Sequence, residues 1–299
     1  MSAFFQYTIN GLTVGAFLAL VALGYTMVYG VIRLINFAHG DVFMVGSFIG
    51  YTVLTAVAAR HWPVVLMIVL ALVAGMAFTG GLGMLMEQVA YKPLLNAPPL
   101  AILISALGVS LALEESARIK FGAGFSAYPN LLPTGGYQLG TVRISYSQIG
   151  MVLVALMLMS ALYMFVQRTA TGTAMRALAM DRDAARLMGI NVEGTILLTF
   201  LIGSMLAGAA GVMQGLYYTQ INFTMGFLVG LRAFTAAVLG GIGNIPGAMV
   251  AGFLIGLIQS YAAGYVSTQW NDAIIFAVLI GVLVFKPTGI FGERVVERV

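Results

Sequence analysis

The chain has 299 residues, 61% of them apolar and only 8% charged, with a formal net charge of +4 at pH 7 and a mean hydropathy of +0.99. A water-soluble domain carries about 25% charged and about 45–50% apolar residues, so this chain lacks the polar shell that would cover a core in water. At roughly 20 residues per bilayer crossing the apolar share suffices for about nine helices, and the expected organisation is a single transmembrane domain over 1–299.

Absences narrow the chemistry. Without cysteine there is no disulfide, thiolate metal site or cysteine nucleophile. His39 and His61 are too far apart to anticipate a metal cluster. The positive balance does not point to nucleic acid, because the basic residues sit at the ends of apolar runs. The first Lys or Arg is Arg33, so no basic region precedes the first apolar segment, and a retained first span is expected rather than a cleaved leader. None of Lys92, Lys120 and Lys286 follows a glycine, so there is no Walker A phosphate loop. No cofactor is expected.

In chain order the first apolar segment, 8–31, stops at Arg33 and at the break Asn36-Phe-Ala-His39-Gly-Asp41. Segments 42–59, 62–86 and 99–117 follow, the last ending in Glu114, Glu115, Arg118 and Lys120. Those two glutamates are costly if deep in lipid and unremarkable if solvated at a span end. The stretch 121–147, with Pro129, Pro133, Gly135 and Gly136, reads as a loop. Segment 148–167 leads into a polar island, 168–193, and segment 195–218 leaves it. Segment 226–243 contains Arg232, 247–266 is uninterrupted, and 273–285 is short for a full crossing. Lipid tolerates irregular backbone only where protein or a water-filled cavity covers it, so one or two of these segments are candidates for re-entrant half-helices. The expected fold is therefore all-α, a polytopic bundle of eight or nine segments.

Short basic loops lie on the cytoplasmic side. The island carries Arg168, Arg176, Arg182 and Arg186, and the tail carries Lys286, Arg294 and Arg298. Placing both inside requires an even number of crossings between them, and four segments lie there. Counting backward puts Lys92 and Arg33 inside, and 121–147 and the N-terminus outside. An echo links Gly40-Asp-Val-Phe-Met-Val-Gly-Ser-Phe-Ile-Gly50 to Pro246-Gly-Ala-Met-Val-Ala-Gly-Phe-Leu-Ile-Gly256, each with a GxxxG pair (Gly46/Gly50 and Gly252/Gly256). It fits an internal repeat of the kind transporters use, or the chance likeness of glycine-rich spans. The pairs are expected to face other helices, where small residues let backbones approach.

The island is the densest cluster of charge. A helical wheel over 174–188 sets Arg176, Arg182, Asp183 and Arg186 on one side, and Ala177, Leu178, Met180, Ala184, Ala185, Leu187 and Met188 on the other. Asp181 is placed to cap the last turn and a half, and Gly189 to end it in the left-handed conformation, a compact helix over 181–190. By physics alone this is a short amphipathic helix at the cytoplasmic face, either lying in the lipid interface or meeting a partner.

Its residues Asp183-Ala-Ala-Arg-Leu-Met-Gly189-Ile190 resemble the Glu-Ala-Ala-x-x-x-Gly loop of importer permeases, with Asp in place of Glu. The longer run from Gly172 to Ile190 is similar to the same segment in LivH-type permeases of branched-chain amino-acid ATP-binding-cassette (ABC) importers. So are the runs Tyr29–Asp41, Tyr91–Ala101, Phe234–Gly247 and Lys286–Gly292, with Arg232 where the family pattern has Lys. The resemblance implies a bacterial inner-membrane subunit. Its partners would be a second related permease, two cytoplasmic ATPase subunits and a periplasmic solute-binding protein, and its cargo an amino acid. It also implies that Asp181, Asp183, Ala184, Ala185, Arg186 and Gly189 form the coupling helix that docks on an ATPase subunit.

Two breaks are candidates for the translocation path: Asn36, His39 and Asp41, and Gly240, Gly241 and Asn244. Half-helix ends there could hold a substrate's charged groups. The alternatives are a satisfied cytoplasmic turn for His39 and Asp41, and close helix packing for the glycines. Gln214, Tyr217, Tyr218, Gln220 and Asn222 make a polar, aromatic outer end to segment 195–218, a candidate binding-protein contact or cavity mouth, or an interfacial aromatic belt. Related permeases serve urea, short amides or other amino acids, which stand as alternative cargoes. A stand-alone secondary transporter is poorly served by so few intramembrane ionisable groups, and an intramembrane enzyme needs a nucleophile and base on facing helices.

Overall fold

The computed structural model describes residues 2–292 except 34, 59, 61, 96 and 134; His61, Arg294 and Arg298 lie outside the described residues. All nine expected apolar segments are helices. They are α1 (Ser2–Ile32), α2 (His39–Ala58), α3 (Val64–Met86), α4 (Pro99–Phe121), α5 (Tyr146–Arg168), α8 (Val192–Tyr218), α9 (Met225–Leu239), α10 (Ile245–Tyr265) and α11 (Asn271–Phe285). The island supplies α6 (Ala170–Met180) and α7 (Arg182–Leu187). Among the described residues eight helical stretches are long and apolar enough to cross a membrane. The α9 helix, with 15 residues, spans about 22 Å, short of a hydrocarbon core of about 30 Å.

Burial sorts the helices into layers. The most apolar window of α1 is 89% buried and that of α8 72%, against 28% or less for α3, α4, α5 and α11. The first two are the core and the others form its rim. Lipid is as apolar as the side chains, so close packing rather than hydrophobic exclusion joins the helices. Glycine supplies that closeness. Gly252 and Gly256 of α10 lie against Ala19 and Gly15 of α1, Gly46 of α2 against Gly208 of α8, and Gly50 against Tyr128 and Val212. All four GxxxG glycines thus face protein, as expected.

The segment 121–147 is more ordered than a plain loop. Ser126–Ala127 (β1) pairs antiparallel with Gln220–Ile221 (β4). Gly136–Leu139 (β2) and Val142–Ser145 (β3) form a hairpin turning through Gly140 at φ +65. Ser145 then caps α5 in a reciprocal box with Gln148. Strands this short carry no readable alternation; the β1–β4 pairing arises when α8 brings Gln220 alongside.

Contacts sort the loops to two ends. At one end Arg33 reaches Ala179 and Met180, Lys92 pairs with Glu193 at 2.8 Å, and Ile290 bonds Leu239. At the other, Gln6 meets Arg143 and Tyr128 bonds Thr219. The basic stretches that parity placed together do share an end.

Candidate functional site

A cavity of about 840 Å³ opens at the end opposite the basic loops. It is lined from α1 by Tyr7, Asn10, Val14 and Leu18, from α9 by Leu228, Val229 and Arg232, and from α10 by Gln259 and Ser260. Tyr7 and Leu18 are eleven residues apart on one helix, so the cavity reaches about 16 Å along α1. All five residues expected at the outer end of α8, Gln214, Tyr217, Tyr218, Gln220 and Asn222, border it. Polar groups and aliphatic walls thus face one space, whose size matches a small-molecule site.

Sequence reasoning passed over the charged pair beside this cavity. Arg232 of α9 donates from Nε and Nη2 to the two carboxylate oxygens of Asp272 on α11, at 2.6 and 3.1 Å. The side chains are 18% and 35% exposed. An arginine within an apolar segment was the available signal; its partner, 40 residues on, was not readable.

The two breaks occupy separate places. At the first, Asn36, His39 and Asp41 are all buried. Tyr91 Oη donates to Asn36 Oδ1 at 2.6 Å, and Ser110 Oγ donates to Asp41 Oδ2 at 2.5 Å. Asp41 Oδ1 has no hydrogen-bond partner among the described residues, and the His39 ring faces the Val21 backbone carbonyl. The reading of a satisfied cytoplasmic turn is therefore corrected. The chain re-enters the bundle after Ile32, so that His39 packs on Gly24 of α1, and Gly40 on Gly226 and Gly230 of α9. No local spacing reveals that depth, because glycines on two distant helices create the room. The second break stays at the end that carries the basic loops. Gly241, at φ +86, lies against Gly292. Asn244 caps α10 through the Gly247 N–H and donates to Phe291 O, both at 2.9 Å.

The island is not one helix over 174–188 but two, parted at Asp181 (φ −154, ψ 118). The cause is capping: Asp181 Oδ1 accepts from the N–H groups of Asp183 and Ala184 at 2.8 and 3.0 Å, and a capping residue needs extended backbone. Gly189, at φ +82, ends α7, with Ile190 N–H bonding Ala185 O and Gly189 N–H bonding Arg186 O, the paired closure that a left-handed glycine permits. Ala185 is buried, so it faces the chain's own helices. The outward face carries Asp183, Ala184 and Arg186, with Leu187 and Met188 at 88% and 82% exposure. Burial, with the nearby charge of Arg33, lowers the proton affinity of Arg182 below the usual arginine range.

A many-spanning helical bundle, hollowed at one end and bearing an exposed helix pair at the other, is the architecture of a membrane permease. The chain belongs to the family described as "Branched-chain amino acid transport system / permease component", which matches residues 7–283. It is 44% identical over 301 residues to the high-affinity branched-chain amino acid transport system permease protein BraD of Pseudomonas aeruginosa, covering 99% of this chain and 98% of that one. It is 41% identical over 305 residues to the corresponding protein LivH of Escherichia coli K12, with the same coverage. Among solved structures it resembles, at TM-score 0.51 and 19% identity, a chain of an ABC transporter assigned to the metal-chelate type in an inward-facing conformation. That match covers 94% of this chain and 87% of the other and bears on fold alone.

Proposed function

We propose that this chain is the membrane-spanning subunit of an inner-membrane ABC importer that carries branched-chain or related neutral amino acids from periplasm to cytoplasm. Hydrolysis belongs to two separate ATPase subunits, and a periplasmic binding protein delivers the solute to this chain and a second, related permease. The observation that carries the reading is the outer cavity, where Arg232 and amide side chains share a space with Val14, Leu18, Leu228 and Val229. A neutral amino acid needs polar partners for its charged head and apolar walls for its side chain; urea needs no such walls. The relatives' names point the same way.

Orientation follows from charge: the end bearing Arg33, Lys92 and α6–α7 is cytoplasmic, which sets the N-terminus outside and Lys286 inside. Gln214, Tyr217, Tyr218, Gln220 and Asn222 then receive solute from the binding protein. The α7 helix is the coupling element, with Asp183, Ala184 and Arg186 meeting the ATPase groove, Leu187 and Met188 adding apolar contact, and Asp181 and Gly189 setting its two ends. Of the two breaks, Asn36, His39 and Asp41 lie where solute passes mid-bundle, while Gly240, Gly241 and Asn244 seal the inner end.

The test is uptake by proteoliposomes holding the complex reconstituted with its own binding protein and ATPase subunits. Labelled leucine enters only with ATP inside, while urea and acetamide do not. Transport of urea or acetamide in place of leucine refutes the cargo, and leucine uptake without ATPase subunits refutes the class.

A further inference from the structure

The end of α1 and the junction of α6 with α7 hold each other by exchanged arginines. Arg33, just past α1, donates from Nη2 to Ala179 O at 3.2 Å and to Met180 O at 3.4 Å, carbonyls of the last turn of α6. Arg182, the first residue of α7, donates in return from Nε to Val31 O at 3.4 Å and from Nη2 to Ile32 O, carbonyls of the last turn of α1. Each guanidinium thus caps the other partner's helix C-terminus, where unpaired carbonyls and the helix dipole attract a cation. The backbone is bent to serve this. Arg33 stands at φ +54, a left-handed conformation that a side chain other than glycine adopts only when its surroundings enforce it. The two cations also sit close enough for Arg33 to disfavour the charge on Arg182.

Apart from its packing on α6 and α8, little else ties α7 to the bundle. Ala185 is its one buried residue among those described, and a cavity of about 480 Å³ bordered by Ile32, Arg33, Pro99, Ile102, Leu178 and Arg182 lies beside the exchange. Between α7 and α1 the direct ties are the hydrogen bonds of Arg182, while Arg33 and the packing of α6 on α1 hold the end of α6 that leads into α7. The other half of α1 lines the outer cavity through Tyr7, Asn10, Val14 and Leu18. From Ile32 to Leu18 is fourteen residues of unbroken helix, about 21 Å, and the helix is buried along this length.

We propose that Arg33 and Arg182 are positioning residues which form a reciprocal clasp, making α1 and α7 move as one, so that displacement of α7 by its partner reaches the outer cavity through α1. This rests on the reading of α7 as the coupling helix. Neither arginine touches solute or nucleotide; both act through the helices whose ends they hold.

The experiment uses the complete complex in proteoliposomes, with Arg33→Gln and Arg182→Gln singly and together. Co-purification of the ATPase subunits is read first. Their retention by the unaltered complex but loss on Leu187→Asp supports the coupling role of α7, and retention after Leu187→Asp overturns that role without bearing on the arginine contacts. With ATPase subunits bound, each single variant is expected to keep binding-protein-stimulated hydrolysis while leucine moved per ATP falls about tenfold, the scale of one lost charge-assisted bond. The double variant is expected to be little worse than either single, since either removal opens the clasp. Leucine per ATP within twofold of the unaltered complex in both singles overturns the proposal.

Because the chain has no cysteine, Arg33→Cys with Arg182→Cys can be joined by a short bifunctional thiol reagent. Cross-linking is expected to restore transport per ATP, and cleaving the link to abolish it again. A cross-linked complex that hydrolyses ATP but does not regain transport overturns the clasp, and so does one that transports equally before and after cleavage. A spin label at Thr8→Cys covers variants that assemble poorly: ATP with vanadate shifts its distance to a label on α4 in the unaltered chain and leaves it unchanged in Arg182→Gln. An equal shift in both refutes transmission through the pair.

Discussion

Replacing Gly252 by isoleucine tests whether the α1–α10 seam holds the bundle together. A Cβ at Gly252 would lie 2.6 Å from Ala19 Cβ and 2.7 Å from Ala19 N, whereas non-bonded carbons rest at about 3.5–4.0 Å. Even one carbon therefore forces the helices about 1 Å apart, and isoleucine adds three more. Overpacking of a tight interior costs about 1–3 kcal/mol. A gap of about 1 Å also forfeits a quarter to a half of each neighbouring contact of about 0.1–0.2 kcal/mol, adding about 0.5–2 kcal/mol if some twenty atom pairs along Gly11, Gly15 and Gly256 are affected. The expected loss is about 1.5–5 kcal/mol. Gly81→Ile is the matched control, since a Cβ at Gly81 meets nothing within 4 Å. Thermal unfolding of the purified complex in detergent, followed by retention of monodisperse protein, reads the difference. If Gly252→Ile unfolds at the temperature of Gly81→Ile, the seam does not bear the bundle's stability and the packing argument fails.

Gly189→Val places a β-branched residue at φ +82, costing about 1–2 kcal/mol for the left-handed turn. Pull-down of ATPase subunits should weaken while membrane insertion, followed by protease protection, stays unchanged; undiminished pull-down would show that the end of α7 is not part of the docking surface. Arg232→Gln strands the Asp272 carboxylate beside the large cavity at a cost of about 1–3 kcal/mol, and adding Asp272→Asn should recover part of it. A double-mutant cycle in thermal unfolding with no coupling between the two positions would mean that the bidentate pair contributes nothing to stability.

The order of apolar runs and their length sufficed to read a helical membrane bundle with nine segments, since in lipid each spanning backbone must satisfy itself within its own helix. Local chemistry likewise disclosed the Asp181 cap, the left-handed Gly189 and the helix-facing glycine pairs, because caps and small-residue spacing act over one or two turns. The same reasoning joined α6 and α7 into one helix, since a wheel records side chains and not the extended backbone that a capping aspartate imposes. What lay beyond reach depends on residues far apart in the chain. Arg232 and Asp272 meet only when α9 and α11 pack. Arg33 and Arg182 reach the helix ends they cap only because α6 returns beneath α1. The depth of His39 and Asp41 is set by Gly24, Gly226 and Gly230, whose missing side chains leave the space that α2 enters. Helices form from near neighbours, whereas a cavity and a clasp arise between surfaces that the sequence does not place side by side.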